Sequence, residues 1–228
     1  MTIPPCLAAS TNQAHRTTQK RPAHQSIVYQ RVYRRSIVEV WAMDEHRIGL
    51  KPLVRRVWAP IGRRPLASVR HRFVLRYLVG FVHPASGRTV FHLATSVSIP
   101  LCETELAAFA RSAGARPKKE IVLVLDWAGW HTSLHLRVPE HLHLFFLPTY
   151  SLESQPAEHL WSLTDEALVN QCFADIEGLE EAQLPSYAAL QHQPQAIQSS
   201  TLFPWWPRRL KKRQGPQRQG PRRHVLHV

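Results

Sequence analysis

Apolar and polar positions divide the middle of the chain into short elements of two periods. Residues 37–43 form an apolar run that ends in Asp44-Glu45. Residues 73–82 and 89–94 are two further strand-like segments, and His83-Pro-Ala-Ser-Gly87 between them carries the residues that favour a turn, so the pair reads as a hairpin or meander. Across residues 103–113, Leu106, Phe109 and Ala110 recur at helical spacing. Residues 121–125, Ile-Val-Leu-Val-Leu, are continuously aliphatic, the pattern of a strand covered on both faces, and they end at Asp126. Residues 142–147 read as another strand. From residue 156 to about 172, Leu160, Trp161, Leu163, Ala167 and Leu168 return at helical intervals, and residues 176–182 predict a last short helix. The order predicts an α/β domain, a mixed central sheet with helices on its faces.

The flanks differ in kind. Residues 1–36 mix Pro, Gln, Thr, His and Arg without either period, and residues 184–228 end in Phe203-Pro-Trp-Trp-Pro-Arg-Arg, Lys211-Lys-Arg and repeated Gln-Gly-Pro-Arg. Such segments bury too little apolar surface to offset the entropy of ordering them. The expected organisation is therefore a disordered basic N-terminal segment over 1–36, one folded domain over 37–183, and a disordered basic Pro/Gly/Arg-rich tail over 184–228.

Charge sharpens this picture. The net charge is +13, yet residues 1–38 hold six Lys/Arg and no acid, and residues 184–228 hold eight and no acid. Within the domain, residues 46–102 carry ten Lys/Arg without one Asp or Glu, whereas residues 103–183 carry five against 13. A basic half beside an acidic half suits a phosphate-binding surface next to a cation site, and equally a solvated face. The three cysteines, Cys6, Cys102 and Cys172, are too scattered for a disulfide framework or a cysteine zinc site. No apolar run approaches the roughly 18 residues of a membrane helix, and the first residues lack the order of a secretory signal, so a cytoplasmic protein is expected.

Three acids stand out by position. Asp44 ends the first predicted strand, Asp126 ends the aliphatic one, and Glu158 lies near the start of the helix after the last strand. Sites in open sheets form at the carboxyl ends of strands, where such groups converge. Carboxylate and water oxygens are the ligands that Mg²⁺ or Mn²⁺ prefers, and two ions about 3.5–4 Å apart stabilise both the attacking and the leaving oxygen of a phosphoryl displacement. Taken singly, each acid also reads as a turn or cap residue, or as a side chain favoured by a helix dipole.

The strings around the three acids carry a resemblance. Trp41-Ala-Met-Asp-Glu-His-Arg-Ile-Gly-Leu50 with Arg56-Val-Trp58, Pro60 and Gly62, then Val124-Leu-Asp-Trp-Ala-Gly-Trp-His-Thr-Ser133, then Leu147-Pro-Thr-Tyr-Ser-Leu-Glu-Ser-Gln-Pro-Ala-Glu-His-Leu-Trp161 resemble, in order, three blocks of the mariner-like bacterial insertion-sequence transposases. Their catalytic part is called a DDE superfamily endonuclease. The resemblance spans roughly residues 37–183. It implies an RNase H-like fold with Asp44, Asp126 and Glu158 as catalytic, metal-binding residues for Mg²⁺ or Mn²⁺, two ions in all. It implies hydrolysis of a strand at a transposon end, followed by attack of the freed 3′-hydroxyl on target DNA. The implied partners are transposon-end and target DNA, a second copy of the chain or a larger assembly, and a separate chain supplying helix-turn-helix modules, since residues 1–36 resemble none.

Around this triad, His131 reads as an auxiliary that contacts a phosphate or orients a ligand, or else as a capping or packing histidine. Arg47, Lys51, Arg55 and Arg56 are candidate DNA-phosphate contacts against a reading of plain surface charge. Trp58, Trp127, Trp130 and Trp161 read mainly as packing residues, and the pleat predicts that Glu45 points away from Asp44. The third block departs from the family, with Leu152, Ser154 and Gln155 where Pro, Leu and Asn are usual, and Leu163-Thr-Asp-Glu-Ala adds acid after the helix. The competing readings are a catalytically inactive DNA-binding remnant of a truncated or split transposase, an RNase H, and a zinc site among His131, His135, His141 and His143. The zinc reading lacks the Glu of a metalloprotease helix and a third ligand at a sensible spacing.

Overall fold

The computed structural model describes residues 36–63, 66, 72–148 and 155–206. The expected disorder of residues 1–35 and 207–228, and the loop residues Tyr150 to Ser154 of the third block, lie outside the described residues. Five strands build one sheet: β1 (Ile37–Gly49), β2 (Leu75–His83), β3 (Arg88–Ala94), β4 (Lys119–Leu125) and β5 (Leu142–Phe146). Their order across the sheet is β3-β2-β1-β4-β5. β1, β2 and β3 run antiparallel in sequence, whereas β4 lies parallel to β1 and β5 parallel to β4. With helices on both faces, this is the RNase H-like mixed sheet.

Central strands are covered on both sides, and their sequences show it. Every residue of β4 after Lys119 is buried, and β1 is buried from Val40 to Met43. Alternate residues feed two separate cores. On one face Trp41, Met43, Phe81, Ile121, Leu123 and Leu125 meet helix α1 (Ile99–Ala113) through Leu106, Phe109 and Ala113. Phe109 stacks on Phe81 at 4.1 Å between ring centroids and meets Trp41 edge-on at 5.2 Å. Ser98 caps α1 by accepting from the Leu101 N–H, and Gly114 ends it at φ 75°, the left-handed turn that a helix C-terminus favours.

On the opposite face Val40, Ala42, Val122 and Val124 meet Leu160 of α2 (Glu158–Thr164), Leu190 of α3 (Ile176–Gln191) and Ile197 of α4 (Pro194–Thr201). A 3-10 turn, Asp165–Ala167, follows α2 directly. Asp175 caps α3 through the Gly178 N–H at 2.9 Å.

Two sequence expectations change here. β1 does not end at Asp44 but continues to Gly49, because β2 pairs with it as far as Gly49↔Leu75. Only the parallel pairing with β4 stops early, at Ala42↔Val124. The fold also passes the boundary expected at 183. α3 runs through Pro185 to Gln191, α4 follows, and Tyr187, Leu190, Ile197 and Trp206 are buried. The first residue of α4 is seated on the β2–β3 turn: a Cβ added at Gly87, which has φ 70°, would lie 2.1 Å from the Pro194 carbonyl oxygen. The Pro and Gln content that predicted disorder is overridden by these few apolar anchors, which complete the second core.

The role of this C-terminal part is measurable. Ile197→Ala removes a fully buried side chain from that core, so urea denaturation is expected to show a loss of about 2–5 kcal/mol. An unpacked tail would give no change.

Candidate functional site

The register of the central strands sets the first two acids at the same end of the sheet. Ala42 and Val124 are the last paired residues of β1 and β4, and Asp44 and Asp126 each lie two residues further on. The pleat gives both the side of Ala42 and Val124, the side that α2 covers. Asp126 is one residue past the end of β4, at the carboxyl end of two parallel strands where open sheets place their sites.

Asp44 sits beside a glycine and beneath an indole. Its cross-strand partner is Gly80, and a Cβ at Gly80 would come within 2.6 Å of the Trp161 ring. The missing side chain lets Trp161 of α2 lie against the sheet and donate from Nε1 to Asp44 Oδ2 at 2.9 Å. Trp161 also stacks on His46 at 5.0 Å, and His46 meets Asp165 at 2.8 Å. Burial, with the nearby negative charges of Glu45 and Glu158, raises the Asp44 carboxyl to about 7 against the opposing pull of the Trp161 N–H. Glu158 lies in the first turn of α2.

Asp126 has a different environment. The His131 ring donates from Nδ1 to Asp126 Oδ1 at 2.8 Å, and the Ala128 N–H donates to the same oxygen at 3.1 Å. These bonds, led by that from His131, hold the Asp126 carboxyl below its usual value. His131 is itself buried and meets Glu45 Oε1 from Nε2 at 2.9 Å. Burial alone would lower its pKa, but the hydrogen bonds to Asp126 and Glu45 outweigh it and raise the imidazole to about 9.

The structure therefore sets Asp44 on β1 beneath Trp161 and Asp126 just past the end of β4 with its carboxylate turned to His131. Among the described residues no three His, Cys, Asp or Glu side chains stand in the arrangement a metal ion needs. The donor set itself suits a hard cation, because a buried carboxylate flanked by two others is costly to ionise and a divalent ion offsets that cost. The remaining histidines weighed for zinc go elsewhere, His141 Nδ1 and His143 Nε2 both to the buried Glu120 carboxylate at 3.2 and 3.0 Å.

Of the four candidate DNA contacts, Arg47, Lys51 and Arg56 are exposed. Arg55 is exposed too, but its Nη1 donates to Glu166 at 2.6 Å and its backbone N–H to Asn170 Oδ1 at 2.9 Å, so it also fastens the segment after β1 to the chain beyond α2. The tryptophans divide. Trp130 and Trp161 pack against the cores, Trp127 is half exposed against Phe146, and Trp58 is fully exposed, which corrects its reading as a packing residue. A tryptophan between Arg56 and Pro60 has no periodic neighbours to bury it, and the strands on either side end before it.

The sequence assigned no functional role to Gly80, Gln155 or Glu45. Gln155 is buried and donates from Nε2 to the Met43 carbonyl at 3.0 Å, tying the approach to α2 to the residue before Asp44. Its only sequence signal is its place where the resemblance expects Asn. Gly80 interrupts an apolar run, the mark of a close approach; Glu45 had no signal beyond its neighbour.

Residues 39–180 match the family described as DDE superfamily endonuclease. A relative from Sinorhizobium fredii (strain NBRC 101917 / NGR234), "Uncharacterized protein y4pE/y4sA", is 34% identical over 137 residues, which is 57% of this chain and 95% of the relative. Among solved structures, the chain is similar to a Mos1 transposase paired-end complex with left transposon end, at 16% identity and TM-score 0.48 over 85% of this chain and 66% of that one. A mariner Mos1 paired-end complex with Mg is similar at 18% identity and TM-score 0.49, over 85% of this chain and 66% of the other. The chain spans just under two thirds of these structural relatives. The family match covers both strands of the parallel pair and all three acids, and by it the chain belongs to the DDE superfamily endonucleases.

Proposed function

We propose that residues 37–206 are the catalytic domain of a DNA transposase, acting through divalent-cation-dependent strand cleavage and strand transfer. Asp44, Asp126 and Glu158 are the residues that would hold Mg²⁺ or Mn²⁺, two ions by the family resemblance. The observation that carries this reading is the register. Asp44 and Asp126 each follow by two residues the last pair of the parallel strands β1 and β4, and the charge of Glu158, in the first turn of α2, is among those that raise the Asp44 carboxyl. Held there, a divalent cation would supply Lewis-acid polarisation of a phosphodiester and of the attacking water or 3′-hydroxyl. The chain's own residues bind and orient. Trp161 closes over Asp44 and limits water, Gln155 holds the start of α2 against β1, and His131 fixes Asp126. Arg47, Lys51 and Arg56 lie on the exposed continuation of β1 and beyond, suited to the phosphates of DNA. The Mos1 structures are paired-end complexes, one with the left transposon end and two with Mn or Mg. By extension, the partners proposed are transposon-end and target DNA, a second copy of this chain, and a separate helix-turn-helix chain. No described helix is long and apolar enough to cross a membrane.

One observation favours a second reading, a DNA-binding remnant without catalysis: the Asp126 carboxylate is turned to His131, and the three acids do not stand as a ligand group. Labelled DNA incubated with Mg²⁺ or Mn²⁺ separates the two. Metal-dependent nicking is expected, and Asp126→Asn should lower it by roughly 10³-fold or more, since the cation supplies several kcal/mol of charge stabilisation. Salt-sensitive binding with no cleavage at either metal would instead establish the remnant. Binding titrations at several salt concentrations test the basic residues. Arg47→Ala and Arg56→Ala should each lower the slope of log K against log salt by about 1, as expected for one lost phosphate contact; an unchanged slope would return them to plain surface charge.

A further inference from the structure

The loop after β4 joins the two faces of the sheet at one imidazole. Asp44 faces the α2 side, whereas Glu45, next along β1, faces the side of Met43, Val79 and Cys102. His131 is buried between Glu45 and Asp126, with Nδ1 at 2.8 Å from Asp126 Oδ1 and Nε2 at 2.9 Å from Glu45 Oε1. Trp130 donates from Nε1 to the same Glu45 oxygen at 3.0 Å. Each ring nitrogen is already engaged by a carboxylate oxygen, so the ring keeps no nitrogen for a phosphate. Of the roles open to His131, the geometry leaves orientation. A histidine held this way transmits the position of one partner to the other, as outer carboxylates do for the ligands of metal sites.

We propose that Glu45 is a positioning residue, acting through His131 to hold the Asp126 carboxylate at the end of β4 in the orientation that cation binding requires. This rests on reading Asp126 as a cation ligand. Glu45 touches no ligand or substrate itself; Trp130 fixes Glu45, Glu45 fixes His131, and His131 fixes Asp126. A tie that served stability alone would change the melting temperature of the chain and leave cation affinity where it was.

The test is Mn²⁺ titration of the full chain, followed by electron paramagnetic resonance without DNA, with thermal melts run on the same samples. Glu45→Gln and His131→Asn are each expected to weaken Mn²⁺ binding roughly tenfold or more, the usual size of such an indirect effect. The double variant should bind no more weakly than His131→Asn alone, because both changes break one chain of contacts. If Glu45→Gln does not fold, Glu45→Asp keeps the charge but shortens its reach, and should show the same loss. A folded Glu45 variant with unchanged Mn²⁺ affinity, or losses that multiply in the double variant, overturns the proposal. If Asp126→Asn binds Mn²⁺ as the wild type does, the reading of Asp126 falls, and this inference falls with it.

Discussion

The parallel pairing of β1 with β4 is the constraint on which the remainder of the molecule depends. It ends at Ala42 and Val124, and two residues beyond each stands an aspartate, Asp44 still on β1 and Asp126 one residue past the end of β4. The pairing thereby sets two acids distant in sequence at the same end of the sheet, while the loop after β4 decides where the Asp126 side chain turns. β1 then continues with β2 alone as far as Gly49. One strand thus serves as a core element over its first half and as a half-exposed carrier of polar groups over its second.

Placing carboxylates at the edge of a core requires that each be satisfied, and the two aspartates are satisfied differently. Asp44 accepts from an indole that reaches it only because Gly80 has no side chain. Asp126 accepts from an imidazole whose far side is held by a third carboxylate on the other face of the sheet. The first arrangement leaves a carboxyl that burial and neighbouring charge make hard to ionise; the second leaves one that ionises readily. Asp44 is thus a desolvated acid and Asp126 a firmly oriented one, a division that suits the charge-dependent chemistry proposed for them.

The second core explains why the domain is longer than its acidic blocks. Val40, Ala42, Val122 and Val124 need a cover, and α2 supplies only part of it with Leu160. α3, α4 and Trp206 complete the layer, and the contact between Pro194 and the turn at Gly87 fastens α4 to the sheet edge. The helix that presents Glu158 and Trp161 is thereby packed from behind by chain that follows it. Near the other end of the site, Arg55 links the segment after β1 to Glu166 and Asn170, which joins the basic stretch to the acidic one through a specific pair.

By itself the sequence determined the mixed sheet and the central burial of residues 121–125, and it marked the three acids as candidates, because a period of two or 3.6 and an ordered set of short motifs are local properties. The opposite facing of Asp44 and Glu45 was also legible, since pleat alternation needs no partner. The extension of β1 to Gly49 was decided only by pairing with β2. The ordering of residues 184–206 was decided by burial of Ile197 and Trp206 in a core assembled from distant strands. The meeting of Glu45, His131 and Asp126 was equally beyond the sequence: it depends on a loop passing beneath the sheet, and hydrogen bonds between residues 85 or 86 positions apart leave no periodic trace along the chain.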